Sequence, residues 1–492
     1  MSKFNKTSKE NTKIQNTSDT INATGTPAFN RNDIKQDIAN VVLTSMLSGN
    51  TFYETEAERL KRIESLCTEP EISLFVAKAM VYTRTVGNLR SISHFLAILL
   101  TENAKGTDYL RPALVKSFQR IDDLTECLSL WNTRNPGKMV PNSLRRAFKD
   151  RLEKSSAYEL KKYEAKNSLV KLRDVVKLSR PNPELTGDSE LFKKLIESRL
   201  PKITTVQTIN AESTGSLRAD NYKSMLKERK LGYMAAVKNI KNILQSGADE
   251  ETLDLLCSLL MNENACLNSK VLPFRYLDAY NEIKILNSSI DKFKLKKVIQ
   301  ALEEAFKISS RNIGIAESGE RVAILLDESG SMRGQPFNIG KTLMASMLCG
   351  LDKKDVIAYL WAEDAREVSV NGSPFDLLDR IQTQYGGTDL GSAFNALIES
   401  RTAVDTIVVF TDEQQNYFGD LPSMVREYRK LSPDVKILFW NLQGYGGGTP
   451  LRLSNNILEV SGYSDKLLEV AGNMLKFGDL NYLVKEIEKI QL

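Results

Sequence analysis

Three short stretches of this chain carry oxygen ligands in a pattern that could hold a divalent cation. Asp327-Glu328-Ser329-Gly330-Ser331-Met332 puts one carboxylate and two hydroxyls on a single tight turn, in D-x-S-x-S spacing. Thr388 follows in Gly386-Gly387-Thr388-Asp389, and Asp412 in Thr411-Asp412-Glu413. An all-oxygen set of this kind suits a hard ion such as Mg²⁺, which keeps several waters and takes few protein ligands. Taken singly, Asp327 and Asp412 read as helix caps and the serines as turn residues. The conjunction of Asp327, Ser329, Ser331, Thr388 and Asp412 is what points to a metal site. Glu328 and Asp389 crowd the same stretches with negative charge, which would raise cation affinity or stand in for a ligand.

A second stretch suits a polyanion. From Arg145 to Arg180 there are 12 Lys and Arg against 5 Asp and Glu, a net of +7 in 36 residues, with Phe148, Tyr158 and Tyr163 interleaved. Cations neutralise phosphates while aromatic rings stack on unpaired bases, so the stretch fits single-stranded or irregular RNA. Charge runs are more often solvated helix faces, and composition alone leaves both readings open. The wider charge distribution agrees with a division of labour. Residues 321–492 hold 17 Lys and Arg against 23 Asp and Glu, a net of −6, and the rest of the chain holds 50 against 39, a net of +11.

Other chemistry is limited by inventory. There is one histidine, His94, which excludes a two-histidine metal site and leaves a single place where a Ser-His-Asp triad could be built. Its setting, Ser91-Ile92-Ser93-His94-Phe95, is a helix entrance and favours a packing or capping role. The five cysteines are odd in number and never in C-x-x-C spacing, against a disulfide framework or a thiolate zinc site.

The elements that must position these residues fall into two patterns. From about residue 33 to 310, apolar residues recur at spacings of three and four. Examples are Leu114, Phe118, Ile121, Leu124, Leu128 and Trp131, which predict one long helix with Pro112 in its first turn; Leu144, Phe148 and Leu152; Leu191 and Leu195, capped by Asp188 or Ser189; and Leu295 to Ile308. Breaks such as Asn135-Pro136-Gly137 and Pro181-Asn182-Pro183 separate them, and the series reads as a stack of helical pairs without a fixed repeat period. After about residue 318 short runs of β-branched and aromatic residues alternate with helical stretches: Val322–Leu326, Val356–Trp361, Thr406–Phe410 and Val435–Trp440. That alternation predicts a parallel, doubly wound α/β sheet, with Ile339–Leu348 among its helices and Leu480–Ile490 as the last one. The Asp327 turn then falls at the carboxyl end of a strand, the edge where such sheets bind ligands. Residues 1–32, rich in Ser, Thr, Asn and Lys, are expected to form a disordered polar arm.

D-x-S-x-S after a strand, then G-G-T, then a strand ending in T-D resembles the metal-ion-dependent adhesion site of von Willebrand factor A domains. That resemblance implies direct coordination by Asp327, Ser329 and Ser331, with Thr388 and Asp412 coordinating directly or through water, and an open metal position for an acidic group of a partner. Further motifs lie upstream. Gly49-Asn50-Thr51-Phe52-Tyr53, Phe95-Leu96-Ala97-Ile98-Leu99-Leu100, Arg120-Ile121-Asp122-Asp123-Leu124, Lys162-Tyr163, Leu178-Ser179-Arg180-Pro181, Leu272-Pro273-Phe274-Arg275-Tyr276-Leu277 and Ser310-Arg311-Asn312-Ile313 occur in an order that resembles the TROVE-domain proteins, the Ro ribonucleoprotein autoantigens and their bacterial and phage relatives.

The resemblance implies a multidomain chain: an all-α, HEAT-like helical-repeat ring over 33–317 and an A domain over 318–492 that holds the ring's ends together. It implies a protein without catalytic activity, binding small noncoding Y-like RNA on a basic outer face and single-stranded 3′ ends of misfolded RNA in a central hole, and working with an exoribonuclease in RNA quality control. The family's RNA contacts map onto Lys162, Lys166 and Arg180, with Arg145, Arg146, Arg173 and Lys177 nearby; Arg180 stands where the family has a histidine and keeps the positive charge.

An alternative from a different class is a protein-interaction adaptor, in which the A domain holds an acidic partner through Mg²⁺ and the helices only support it. A metal-dependent nuclease is disfavoured, because that chemistry usually uses two metals bridged by several acids and hydroxyls dominate here. The polar amino terminus and the lack of a long apolar run predict a chain that stays in the cytoplasm and does not span a membrane, and a monomer is expected because the A domain can close the ring within one chain.

Overall fold

The apolar runs after residue 318 become the strands of one six-stranded sheet. The computed structural model describes residues 18–492 except 32, 48, 165–167, 202–205, 207–208, 211–212, 270, 272, 289, 311–318, 417–420 and 465–466. The chain divides into two compact units. One, the α/β unit, contains Ser310–Leu483 together with the described part of Met1–Thr44 and Thr51–Glu54; the other, the helical unit, contains Ser45–Asn50, Thr55–Ser309 and Val484–Leu492.

A two-residue hairpin near the amino terminus pairs β1 (Thr20–Ile21) with β2 (Pro27–Ala28). The main sheet comprises β3 (Val322–Asp327), β4 (Val356–Trp361), β5 (Ala365–Glu367), β6 (Thr406–Thr411), β7 (Lys436–Asn441) and β8 (Ile457–Ser461). Their order is β5-β4-β3-β6-β7-β8, parallel throughout except for antiparallel β5 at the edge. β5 and β8 are additions to the four strands expected from sequence.

Every residue of β3 and β6 is buried, as the two faces of a doubly wound sheet require. On one face Leu325, Trp361, Val409 and Phe439 pack against Phe394 and Leu397 of the helix Leu390–Glu399 and Tyr428 of Leu421–Leu431. On the other face the helix Gln335–Gly350 comes so close that a Cβ on Gly340 would lie 2.7 Å from Leu326 Cδ1. After β3 the chain crosses to β4 on one side and later to β6 on the other. The carboxyl ends of β3 and β6 therefore flank the switch in strand order, where a crevice opens in folds of this type.

The polar-arm expectation holds for none of residues 18–31; residues 1–17 lie outside those described. The first hairpin is pinned by long-range bonds: Phe29 pairs with Thr449, and Arg31 is buried with its side chain 2% exposed. Glycines make room for it. A Cβ on Gly448 (φ +84) would meet Phe29 O at 2.2 Å, and one on Gly447 (φ +99) would meet Ile21 O at 2.6 Å. The helix Ile34–Leu43, capped by Asp33, continues the same unit; Thr44 O accepts from the Tyr463 hydroxyl. The boundary expected near residue 317 thus separates the units only in part, since residues 18–44 and 51–54 belong with the sheet.

The helical unit shows the expected amphipathic series with one correction. Phe118 caps a helix ending at Ser117 and a new helix starts at Asp122, so the predicted long helix is two, Leu110–Ser117 and Asp122–Arg134. Asp123 accepts from the Arg120 backbone N–H at 2.8 Å and shapes the turn. The apolar stripe survives the break, with Leu114, Phe118, Ile121, Leu124, Leu128 and Trp131 all buried. Helices pack with the next but one: Ser73–Thr85 on Leu110–Ser117, that on Asn142–Leu152, that on Leu172–Ser179, and Ser91–Asn103 on Asp122–Arg134. Two rows of stacked helices result, as in a pile of helical pairs. His94 lies in this unit, buried, with Nε2 3.1 Å from Asp123 and Nδ1 3.3 Å from Glu126; Arg84 and Arg90 bind the same Asp123. Burial alone would lower its pKa, but the hydrogen bonds to both carboxylates outweigh that and raise it. No helix among the described residues is long and apolar enough to cross a membrane.

Candidate functional site

The carboxyl end of β3 delivers Asp327 into the crevice, and the turn that follows folds back on it. The Ser329 backbone N–H donates to Asp327 Oδ1 at 2.8 Å, and the Ser329 and Ser331 hydroxyls lie 3.3 Å apart. The end of β6 supplies the facing group: Thr411 Oγ1 donates to Asp327 Oδ2 at 2.6 Å, and Asp412, the next residue, accepts from Gln414 N–H at 3.1 Å. The Gly386-Gly387-Thr388 loop is tied to the same turn, because Gly330 N–H donates to Gly386 O at 3.1 Å. Asn416 Oδ1 accepts from Thr388 N–H at 2.6 Å, linking that loop to the segment after β6. Asp327, Ser329, Ser331, Thr388 and Asp412 are all buried, none more than 5% exposed.

Two carboxylates buried side by side are costly. Desolvation and then the charge of Asp412 push Asp327 up, and desolvation pushes Asp412 up as well. Asp412 Oδ2 is buried with no hydrogen-bond partner among the described residues. An unsatisfied carboxylate oxygen beside two hydroxyls and a second carboxylate is what a cation would repair, so the donor set fits a hard divalent ion. Among the described residues no group of three or more His, Cys, Asp or Glu is placed to hold a metal ion.

Two acids expected to crowd the site do not. Glu328 points to Arg366, 2.9 and 3.1 Å from its guanidinium, and accepts from Gln384 N–H. Asp389 caps the helix Leu390–Glu399 through Gly391 N–H at 2.9 Å. A third acid, Glu413, escaped notice in the sequence. It is fully buried at φ +64 and binds Arg31 at 2.8 Å and Asn441 at 2.5 Å. Arg31 also forks onto Glu459 at 2.6 and 2.7 Å. The same hairpin grips the next two residues: Ala23 N–H donates to Gln414 Oε1 and Asn22 Nδ2 to Gln415 O.

The basic stretch of the helical unit is exposed instead. Arg173, Lys177 and Arg180 occupy one solvent face of Leu172–Ser179 and its cap, while Leu172, Val175, Val176 and Ser179 turn inward. Arg146 is exposed on Asn142–Leu152, and Arg145 is half-buried, donating to Leu178 O. Among the described residues no carboxylate lies within ion-pair distance of Arg146, Arg173, Lys177 or Arg180, whereas Lys149, Arg151 and Lys161 are paired with Glu153, Glu159 and Glu164. Lys162 stands over Tyr163 (5.3 Å) and Tyr158 (5.8 Å), and Arg120, which the sequence did not single out for this face, stands 4.6 Å over Tyr163. Lys166 lies outside the described residues.

Comparison with known proteins agrees with this architecture. Residues 210–312 match the TROVE domain family. The RNA-binding protein RO60 of Deinococcus radiodurans is 24% identical over 251 residues, 47% of this chain and 45% of that protein, so the match spans less than half of the relative's length. The crystal structure of the Deinococcus radiodurans RO (RSR) protein has the same fold, with a TM-score of 0.57 and 16% identity over 92% of this chain and all of the other. The match to the TROVE domain thus lies almost wholly in the helical unit, and the chain shares the fold of the Deinococcus protein.

Proposed function

We propose that this protein is a Ro-like RNA-binding protein, with no catalytic step of its own, that holds RNA on its helical unit. The observation that carries the reading is the face formed by Arg146, Lys162, Arg173, Lys177 and Arg180. Among the described residues these cations have no carboxylate partner, and Lys162 stands beside Tyr158 and Tyr163. Unpaired cations attract phosphates without first breaking an ion pair, and the tyrosines offer rings on which unpaired bases stack. The name of the Deinococcus relative supports the same class of ligand. The finer reading is small noncoding, Y-like RNA on this face, single-stranded 3′ ends of misfolded RNA in a hole through the helical stack, and partnership with an exoribonuclease in RNA quality control in the cytoplasm.

In this reading the α/β unit is a von Willebrand factor A-like module. Asp327, Ser329, Ser331, Thr388 and Asp412 would hold Mg²⁺, which supplies a positive charge able to fix an oxygen ligand. The unpartnered Asp412 oxygen favours this. Joint replacement of Lys162, Arg173, Lys177 and Arg180 by Ala should weaken RNA binding in filter assays and flatten its salt dependence. Each lost phosphate contact removes about 0.7 from the log–log slope on single strands. An unchanged slope and affinity would sink the assignment of this face.

A further inference from the structure

The amino-terminal hairpin and the candidate metal site share the segment that follows β6. The hairpin, β1 and β2 with the turn between them, belongs to the same compact unit as the sheet. Three consecutive residues of the segment meet it or Arg31 just beyond it. Glu413 accepts from Arg31 at 2.8 Å, and Gln414 Oε1 accepts from Ala23 N–H at 2.8 Å. Gln415 O accepts from Asn22 Nδ2 at 2.7 Å and from the Thr24 hydroxyl at 2.5 Å. The same segment also holds the candidate ligands. Gln414 N–H donates to Asp412 Oδ1 at 3.1 Å, and its Nε2 donates to Asp412 O at 3.3 Å. Glu413 N–H donates to the Thr411 hydroxyl at 3.0 Å, which in turn donates to Asp327. Asn416 is bonded to Thr388 in both directions, its Oδ1 accepting from Thr388 N–H and its N–H donating to Thr388 O at 3.2 Å. Gln414 thus spans the two, with one end of its amide on Ala23 and the other on Asp412. Glu413 has φ +64, a left-handed conformation that a glutamate keeps only where its surroundings hold it, and Arg31 is one of the groups that hold it.

We propose that the hairpin is a latch on the metal site: docked, it fixes residues 413–416 in the shape that presents Asp412 and Thr388 to the cation, and a bound cation in return holds the hairpin down. The proposal rests on the metal reading given above and adds a regulating element to it. Such coupling is reciprocal, so the factor by which docking raises cation affinity is also the factor by which the cation tightens docking. Ile21, Ala23 and Gly25 of the hairpin are exposed whereas the five candidate ligands are buried, so the latch carries the state of a buried site to the surface.

The test uses the full chain with Mn²⁺ as probe and reads both directions of the coupling. In the wild type, Mn²⁺ should slow amide hydrogen exchange of residues 19–31, measured by mass spectrometry, about fivefold or more relative to EDTA. Asn22→Ala removes the side chain that reaches Gln415 and should lower Mn²⁺ affinity, measured by calorimetry, by about the same factor; Thr24→Val, which loses one hydroxyl, should lower it less. Asn22→Ala that melts earlier in EDTA yet binds Mn²⁺ as tightly as the wild type overturns the latch, because the hairpin is then a structural tie alone. Exchange of residues 19–31 that Mn²⁺ leaves unchanged overturns it as well, and this arm needs no variant to fold. Either result, with Mn²⁺ binding lost in Asp412→Asn, removes this proposal and leaves the metal reading standing. Wild type that takes up no Mn²⁺, or Asp412→Asn that binds it unchanged, overturns the metal reading and this proposal together.

Discussion

Charge is handled in opposite ways in the two units. On the helical unit, Arg146, Arg173, Lys177 and Arg180 stand in water without a carboxylate partner among the described residues and lose little by it, since exposed charges are well solvated. In the α/β unit Asp327, Asp412 and Glu413 are buried within a few residues of one another, where an uncompensated charge costs several kcal/mol. The first arrangement waits for an external polyanion. The second must be neutralised from inside, and the chain supplies Arg31 for Glu413 while Asp412 Oδ2 has no partner among the described residues. An exposed charge patch therefore says what the surface attracts, and a buried one says which counter-charge the fold cannot do without.

That contrast predicts a graded set of effects. Arg31→Met should be the most damaging. It leaves Glu413 and Glu459 buried without their cation and should lower the stability of the α/β unit by about 3–5 kcal/mol, read from chemical denaturation; a loss under about 1 kcal/mol would mean that water reaches the pair. Asp412→Asn should act in the other direction without metal, stabilising the protein by about 1–2 kcal/mol by relieving two crowded carboxylates. It should also abolish the rise in melting temperature on adding Mg²⁺. A variant that is both less stable in EDTA and still stabilised by Mg²⁺ would place the ion elsewhere.

The smallest effect concerns His94, buried in the helical unit beside Asp123. Its folded pKa is raised above the ordinary value of 6.5, so protonation favours folding. The stabilisation should be fully present below pH 6.5, where the unfolded imidazole is protonated too. It should be lost as pH rises through the folded pKa. His94→Gln should remove that slope from melts of the helical unit recorded across this range, and a slope that persists must come from another group.

The Asp327 turn was legible in the sequence because its candidate ligands are local. Asp327, Ser329 and Ser331 share one turn, and the strands before Asp327 and Asp412 announce themselves as apolar β-branched runs. The strands flanking them were visible for the same reason. What stayed hidden depends on distant pairing. Arg31 is separated from Glu413 by 382 residues, and a polar segment with two-residue strands has no periodicity to read. The glycines at 447 and 448 were the available trace of its docking. Glu328 and Asp389 misled because proximity in sequence says nothing of direction: one turns to Arg366, the other to a helix amino terminus. The split of the predicted long helix at Phe118 left its apolar stripe intact, so the periodicity could not reveal the break.

The hairpin that carries Arg31 has a bearing on biosynthesis. It is synthesised before the helical stack, yet its binding surface on β8 and on the loop after β6 is complete only when translation has passed residue 461. The hairpin must therefore wait through the synthesis of the helical stack before it finds its place on the sheet. Expressing residues 310–492 by themselves would give a sheet whose Glu413 and Glu459 have no guanidinium to meet.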